Sequence, residues 1–392
     1  MLTKTALSAL LLLGASLADA APVKTQGDAA VANSTVDAEA VISELAADKT
    51  GANRRHAKRA VVSIPLVQSQ GKYAAMMQAG TPAQTIPVII DTGSSDLLLN
   101  GAVYDTAASS SLSDSGKDIS FSFVSGAFDG SVATETINLG GNTVAKQTVG
   151  VINEPDLAPA GGILGLNFPN LAKASPRTFF SNLVSSGQLA ANKFGLYLNR
   201  DPAGASELTL GGANSAHYST SLTRNPVVEG MGDWAVQITG FLSSGGPSLV
   251  TQDTTAFIDS GNGFSVIPAA AAAAIYASIP GASSDGSFPM PVAGNDVMVD
   301  SYKFPCSNTV RPGYRFSGNA RRAYQLQLED FIVGRAEDGE TCYGSIYGAD
   351  VNLGTGNLAL LGTDFLKSFY AVFNVEDPSY YNKPTISFAP SA

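Results

Sequence analysis

The chain of 392 residues is poor in the side chains most enzymes rely on, with 2 histidines, 2 cysteines and 1 tryptophan. One histidine, His56, stands in a basic cluster, so His217 is the sole imidazole from Ala60 onward. A Ser-His-Asp or Cys-His site would have to use it, and no Gly-x-Ser-x-Gly turn occurs. One histidine and two distant cysteines fall short of the three or four ligands a zinc site takes. No Walker loop or dinucleotide glycine pattern follows a strand. The reading is therefore no metal and no cofactor, with His217 a surface or packing residue. Beyond the N-terminal stretch no segment approaches the ~20 apolar residues of a membrane helix, and the C-terminal residues carry no hydrophobic tail for a lipid anchor. Basic residues are also short: from Ala60 onward 16 Lys and Arg face 27 Asp and Glu. Such a surface disfavours nucleic acid and anionic membrane as partners. The chemistry left to this chain is carboxylate chemistry.

Residues 1–20 read as a secretory signal peptide: Lys4, an apolar stretch from Ala6 to Leu17, then the small-x-small site Ala18-Asp19-Ala20. Residues 21–59 are rich in Ala with scattered acids and end in Arg54-Arg55-His56-Ala57-Lys58-Arg59. A dibasic pair ahead of the strand-like run Ala60 to Ile64 reads as the end of a removable pro-segment. The expectation is a secreted, extracellular monomer made as a precursor. Its only Asn-x-Ser/Thr sequon, at Asn33, lies in that pro-segment. In a secreted chain Cys306 and Cys342 read as one disulfide. The remaining 333 residues suffice for two domains, and their Gly, Ser, Thr and Val content in short alternating runs argues for mostly β structure.

Two segments resemble each other. Val88-Ile89-Ile90-Asp91-Thr92-Gly93-Ser94-Ser95 and Ala256-Phe257-Ile258-Asp259-Ser260-Gly261-Asn262-Gly263 each run from an apolar strand into Asp, a small hydroxyl residue and Gly. They lie about half the mature length apart, as two related lobes would place them. A carboxylate at a strand-to-loop turn projects from the sheet, and the adjacent Gly lets backbone or substrate come close. The hydroxyls of Thr92 and Ser260 are placed to bond across a junction between the loops. Two aspartates brought together share one proton, because both cannot easily ionise. The charged one then takes a proton from water while the protonated one polarises a carbonyl. Either copy alone is an ordinary turn; the pair is the signal.

At these residues the chain resembles the pepsin family of aspartic proteases, and its secreted fungal members in particular. Gly80-Thr81-Pro82-Ala83-Gln84 is similar to the family's turn before the first Asp. Ile163-Leu164-Gly165 and Leu360-Leu361-Gly362 resemble its second landmark, which walls the aspartate loops. Thr178 to Leu183 resembles the first-lobe helix, Pro268 to Ile279 the second-lobe helix, and Phe365 to Asn374 the closing strand region. Trp234-Ala235-Val236 resembles an interlobe strand of the family, and Cys306 with Cys342 resembles its second-lobe disulfide. The resemblance implies a mostly β, bilobal fold, with two related barrel-like lobes (60–225 and 226–392) flanking a deep cleft. It implies an aspartic endopeptidase acting on proteins or peptides at acidic pH, with Asp91 and Asp259 as catalysts. Substrate would lie along Gly93, Gly261 and a hairpin flap around Ser125 and Gly126.

Three departures qualify it. The flap hairpin, read as Ile119–Phe123, a turn from Val124 to Gly130 and a return from Ser131 to Leu139, contains no tyrosine. The position matching the family's flap tyrosine is Phe123, or Phe121 if the register slips by two, and its tryptophan partner is Leu98. Removing both hydrogen-bonding partners leaves an apolar contact instead of a stranded donor. In the outer support of the carboxylates Ser94 fits, whereas Asn262 replaces a hydroxyl and would have to donate through its amide; Gly263 lacks a side chain. Two other readings stay open: a catalytically weak or silent relative that binds peptides or another secreted protein, and a carbohydrate-binding β protein suggested by composition alone.

Overall fold

The computed structural model describes residues 61–392 apart from 70, 124–125, 158–159, 293–294, 352–355 and 376–382. The expected signal peptide and pro-segment lie outside the described residues, as does Ser125.

Short runs of β-branched and aromatic residues punctuated by Gly and Pro form strands throughout. Lys72–Ala79 alternates between half-buried and buried positions, as a strand with one face on a core must. The strands assemble into two barrel-like sheets. The first, of 13 strands, takes those from Val62–Ser69 to Thr223–Pro226 and also the last two, Phe369–Asn374 and Thr385–Pro390. The second, of 12 strands, takes those from Ala235–Ser243 to Asn357–Leu361. This is the mostly β, bilobal architecture expected from the sequence.

The repeated segments occupy equivalent places. Gln84–Asp91 pairs in parallel with Gly162–Gly165, setting Asp91 opposite Gly165. Thr254–Ile258 pairs in parallel with Asn357–Leu361, setting Ile258 opposite Leu361. Parallel strands of this kind are covered on both faces, which is why Thr254–Ile258 is buried along its whole length. Both Leu-Gly landmarks hold the aspartate backbone: Leu166 N donates to Asp91 O at 2.8 Å, and Asp259 N donates to Leu361 O at 2.9 Å.

Helix Phe179–Ser185 starts where Thr178 Oγ1 accepts from Ser181 N at 3.2 Å. The alanine-rich segment forms helix Ala269–Ala277. Two element readings need correction. The closing strand begins at Phe369, because Thr363–Ser368 is helical; Asp364 in its first turn accepts from Phe365 N at 2.8 Å, a favourable acid at a helix start. The return arm of the flap begins at Gly126, since Phe123 pairs with Gly126 and Phe121 with Phe128. The glycines there continue the ladder instead of turning it.

Trp234 is fully buried against Phe168, Phe194 and Phe373, and its Nε1 donates to Leu166 O at 2.9 Å across the two sheets. Cys306 and Cys342 form a disulfide with Cα atoms 5.0 Å apart. His217 stacks on Tyr197 at 4.2 Å, and its Nε2 lies 3.2 Å from Glu207 Oε2, so it is a packing residue. Among the described residues no helix is long and apolar enough to cross a membrane.

Candidate active site

Asp91 ends the strand Gln84–Asp91, and Asp259 follows the strand Thr254–Ile258. The two loops meet through the hydroxyl residues beside them. Thr92 N donates to Ser260 Oγ at 3.0 Å, and Ser260 N donates to Thr92 Oγ1 at 2.9 Å. Each hydroxyl passes its own proton across: Thr92 Oγ1 to Ile258 O and Ser260 Oγ to Ile90 O, both at 2.8 Å. All four bonds are buried, where each is protected from competition by water.

This junction sets the two carboxylates around one glycine. A Cβ added to Gly261 would lie 2.5 Å from Asp91 Oδ1 and 3.1 Å from Asp259 Oδ1, so no larger residue fits. Gly93 N donates to Asp91 Oδ1 and Gly261 N to Asp259 Oδ1, both at 2.8 Å. Asp91 is 6 % exposed and Asp259 1 %, so the pair is largely desolvated. Burial, then the Asp91 charge and a hydrogen bond from the pair, push Asp259 well above the usual carboxylate range; Gly261 N and Lys72 pull the other way. The pair therefore retains a proton where ordinary carboxylates have lost theirs.

The outer supports differ. Ser94 Oγ donates to Asp91 Oδ2. Asn262 does not supply the matching bond expected of it: its Nδ2 donates to Phe264 O at 2.8 Å, and its buried Oδ1 has no partner among the described residues. The amide is one atom longer than a hydroxyl and finds a carbonyl two residues on. Gly263 has open space where a side chain would stand.

In the flap, Phe121 is buried in a cluster with Leu98, Ile152 and Ile163. A Cβ on Gly150 would lie 2.5 Å from Phe121 Cζ and 2.8 Å from Leu98 Cδ2, which locates both rims of that contact. The side chain packed with Leu98 is thus Phe121; that of Phe123 lies outside the described ones.

A family model described as eukaryotic aspartyl protease matches residues 72–390. The chain belongs to the eukaryotic aspartyl protease family. Members of this family are hydrolases of the aspartic endopeptidase type. Similar relatives include the major aspartyl peptidase 1 of Cryptococcus neoformans var. grubii, 26 % identical over 87 % of this chain and 73 % of the relative. Rhizopuspepsin-2 of Rhizopus niveus is 29 % identical over 80 % of this chain and 78 % of its own. An aspartic protease of Phaffia rhodozyma is 30 % identical over 82 % and 79 %.

Two groups beside the aspartate pair carry no signal in the sequence. Lys72 opens the strand Lys72–Ala79, and its Nζ donates to Gly261 O at 2.6 Å, so the Gly261 carbonyl assigned to substrate already holds a lysine. Asp233 is buried beside Trp234, and its Oδ1 accepts from Asn167 Nδ2 at 2.8 Å while Oδ2 has no partner among the described residues. Burial lifts Asp233 to about 7 against the pull of Asn167, with the Asp91 charge adding to the rise. A lone Lys or Asp beside a strand carries no sequence signal; only the sheet register delivers them here. Among the described residues no group of three or more His, Cys, Asp or Glu gathers that could hold a metal ion.

Proposed function

We propose that this chain is a secreted aspartic endopeptidase that hydrolyses peptide bonds in proteins at acidic pH, with Asp91 and Asp259 as its catalytic residues. The observation that carries the reading is the reciprocal Thr92–Ser260 junction, which sets both carboxylates against Gly261. With one proton on the pair, the ionised carboxylate takes a proton from a water as its oxygen attacks the peptide carbonyl carbon. The protonated carboxyl donates to the carbonyl oxygen as it becomes a hydroxyl. Collapse of that tetrahedral species breaks the C–N bond: the proton taken from water passes to the departing amine, and a hydroxyl proton returns to the other carboxylate, which leaves the pair with its one proton. An acid optimum follows from chemistry that needs one proton on the pair, lost as pH rises.

Substrate lies extended along Gly93, Gly261 and the flap near Gly126, with bulky apolar residues favoured beside the cut bond by analogy with the family. The Gly261 carbonyl has two lone pairs, so the Lys72 bond leaves one for substrate. Residues 1–20 direct export, and residues 21–59 are removed after Lys58-Arg59 to give a monomeric extracellular enzyme.

The test is to process the precursor and incubate it with a denatured globular protein from pH 3 to 7, alone, with a statine-type transition-state analogue, and as Asp91→Asn. Cleavage near pH 3–5 that either treatment abolishes is expected; an Asp91→Asn protein cleaving as well as its parent sinks the mechanism. A second reading, a silent peptide binder, is favoured by Asn262, whose amide turns to Phe264. Analogue binding without turnover in the parent would decide for it.

A further inference from the structure

The second aspartate loop lacks the hydroxyl that Ser94 gives the first, and the structure puts a different group beside it. Lys72 belongs to the first sheet and Gly261 to the loop of the second, 189 residues away, yet Lys72 Nζ donates to Gly261 O at 2.6 Å. The carbonyl it holds is that of the residue whose own N–H, on the preceding peptide, donates to Asp259 Oδ1 at 2.8 Å. The strand register explains the delivery. Ala74 pairs with Ile89, two residues from Lys72 on one strand and two from Asp91 on the other. Tyr73, next along, points the opposite way into the core and donates to Asn199 O at 2.8 Å, which leaves Lys72 on the face of the pair.

Building on the proteolytic reading, we propose that Lys72 is a positioning residue for the reaction: its ammonium anchors the Asp259 loop and supplies the positive charge against which the aspartate pair holds its negative charge.

Burial pulls Lys72 down from the usual lysine range, while the charges of Asp259 and Asp91 hold it up, so ammonium and carboxylates feel one another. The charged groups around the pair are few. Lys72 faces it from its strand, and Asp233, before Ala235–Ser243, is close enough for the Asp91 charge to act on it. Strand Val62–Ser69 brings no ionisable side chain, and Lys117, Asp118 and Asp129 of the flap hairpin are exposed. Lys72 is therefore the cation that draws the proton affinity of Asp259 down, against the larger rise from burial and the Asp91 charge. A nearby cation lowers the pH at which a carboxylate pair loses each of its protons. The active window thus sits lower than it would without Lys72, and loop anchoring acts on turnover more than on substrate affinity.

The experiment compares the processed parent with Lys72→Met, Lys72→Gln and Lys72→Arg. For each, kcat and KM on a fluorogenic peptide are measured across pH, and the aspartate carboxyl carbons are titrated by carbon-13 NMR. The neutral variants should move both limbs of kcat/KM upward by about one pH unit and lower kcat at least tenfold with KM within about threefold; Lys72→Arg should restore the parent profile. Unshifted limbs in both neutral variants of an active enzyme overturn the inference, as does an aspartate titration that ignores the charge at position 72. The NMR titration needs no turnover, so an inactive parent overturns the proteolytic reading and the positioning role with it, while a Lys72-dependent titration in that parent upholds the charge coupling alone.

Discussion

Thr92 and Ser260 each donate and accept across the lobe junction, so neither can be replaced without stranding a buried partner. Thr92→Val keeps the shape but removes an acceptor from Ser260 N and a donor from Ile258 O. Its expected cost is about 2–6 kcal/mol, since each of the two buried groups left unpaired costs ~1–3, read as a lower urea midpoint together with at least a tenfold loss of kcat. Ser260→Ala should behave alike, and the double variant should cost less than the sum because both act in one network. Asn262→Ser is expected to act in the other direction. It removes the buried unpartnered Oδ1 and returns a hydroxyl to the Asp259 side, so kcat should rise several-fold with stability changed by less than ~1 kcal/mol. An unchanged kcat would show that the outer oxygen of Asp259 needs no donor. At this scale Asp91, Asp259, Thr92 and Ser260 stand out in the sequence because a pattern repeats. The direction in which Asn262 turns does not, because two acceptors within reach of one amide are told apart only by backbone geometry.

Elements carry the next set of constraints. The flap arms pair from Ser113 opposite Thr134 down to Phe123 opposite Gly126, and Phe121 roots them against Leu98. Phe121→Ala should destabilise by about 3–5 kcal/mol, the range for emptying a buried phenylalanine site, and raise KM as the hairpin loses its seat; thermal melting and steady-state kinetics check both. The disulfide acts elsewhere. Cys342 lies in Thr341–Gly344, beside Asn295–Pro305, and neither strand carries a residue of the aspartate pair. Replacing Cys306 and Cys342 by Ala should cost roughly 3–4 kcal/mol by urea unfolding while kcat/KM stays within about twofold. Alternation made both flap arms legible. The extent of the return arm was not, since Gly126 and Gly130 read locally as turn residues yet stay in the ladder, and residues 365–368 read as strand although Thr363–Ser368 is helical.

For the molecule as a whole, the buried carboxyls set the pH response. Burial raises Asp233 to about 7 and Asp364 to about 6, the latter against donations from Ser265 and Ser345, and it raises Asp259 as well. Unfolded, each would titrate near ~3.9. A folded state that binds more protons than the unfolded one is favoured at low pH. This stabilisation is fully present below about pH 4 and is lost as pH rises through the folded values of about 6 and about 7. The protein should therefore be more stable to urea at pH 4 than at pH 8. Asp233 alone contributes on the order of 4 kcal/mol to the difference at 1.36 kcal/mol per unit, and Asp233→Asn should flatten the curve by a comparable amount. Equal midpoints at the two pH values would contradict this assignment.

The sequence by itself determined the kind of chemistry and the kind of fold. Its scarcity of histidine and cysteine left carboxylates as the reactive groups, its alternating runs dictated strands, and its repeated Asp-hydroxyl-Gly loops marked two related halves. Those signals are local, and local propensity writes them directly into residue order. Only the tertiary structure decided that Gly261 lies between the two carboxylates, that Asn262 turns to Phe264, and that Lys72 and Asp233 stand beside the pair. The reason is physical: the Asn262 amide follows the backbone of its own loop, while the contacts of Gly261, Lys72 and Asp233 reach residues 66 to 189 positions away, brought together by strand register and lobe packing that no short segment encodes.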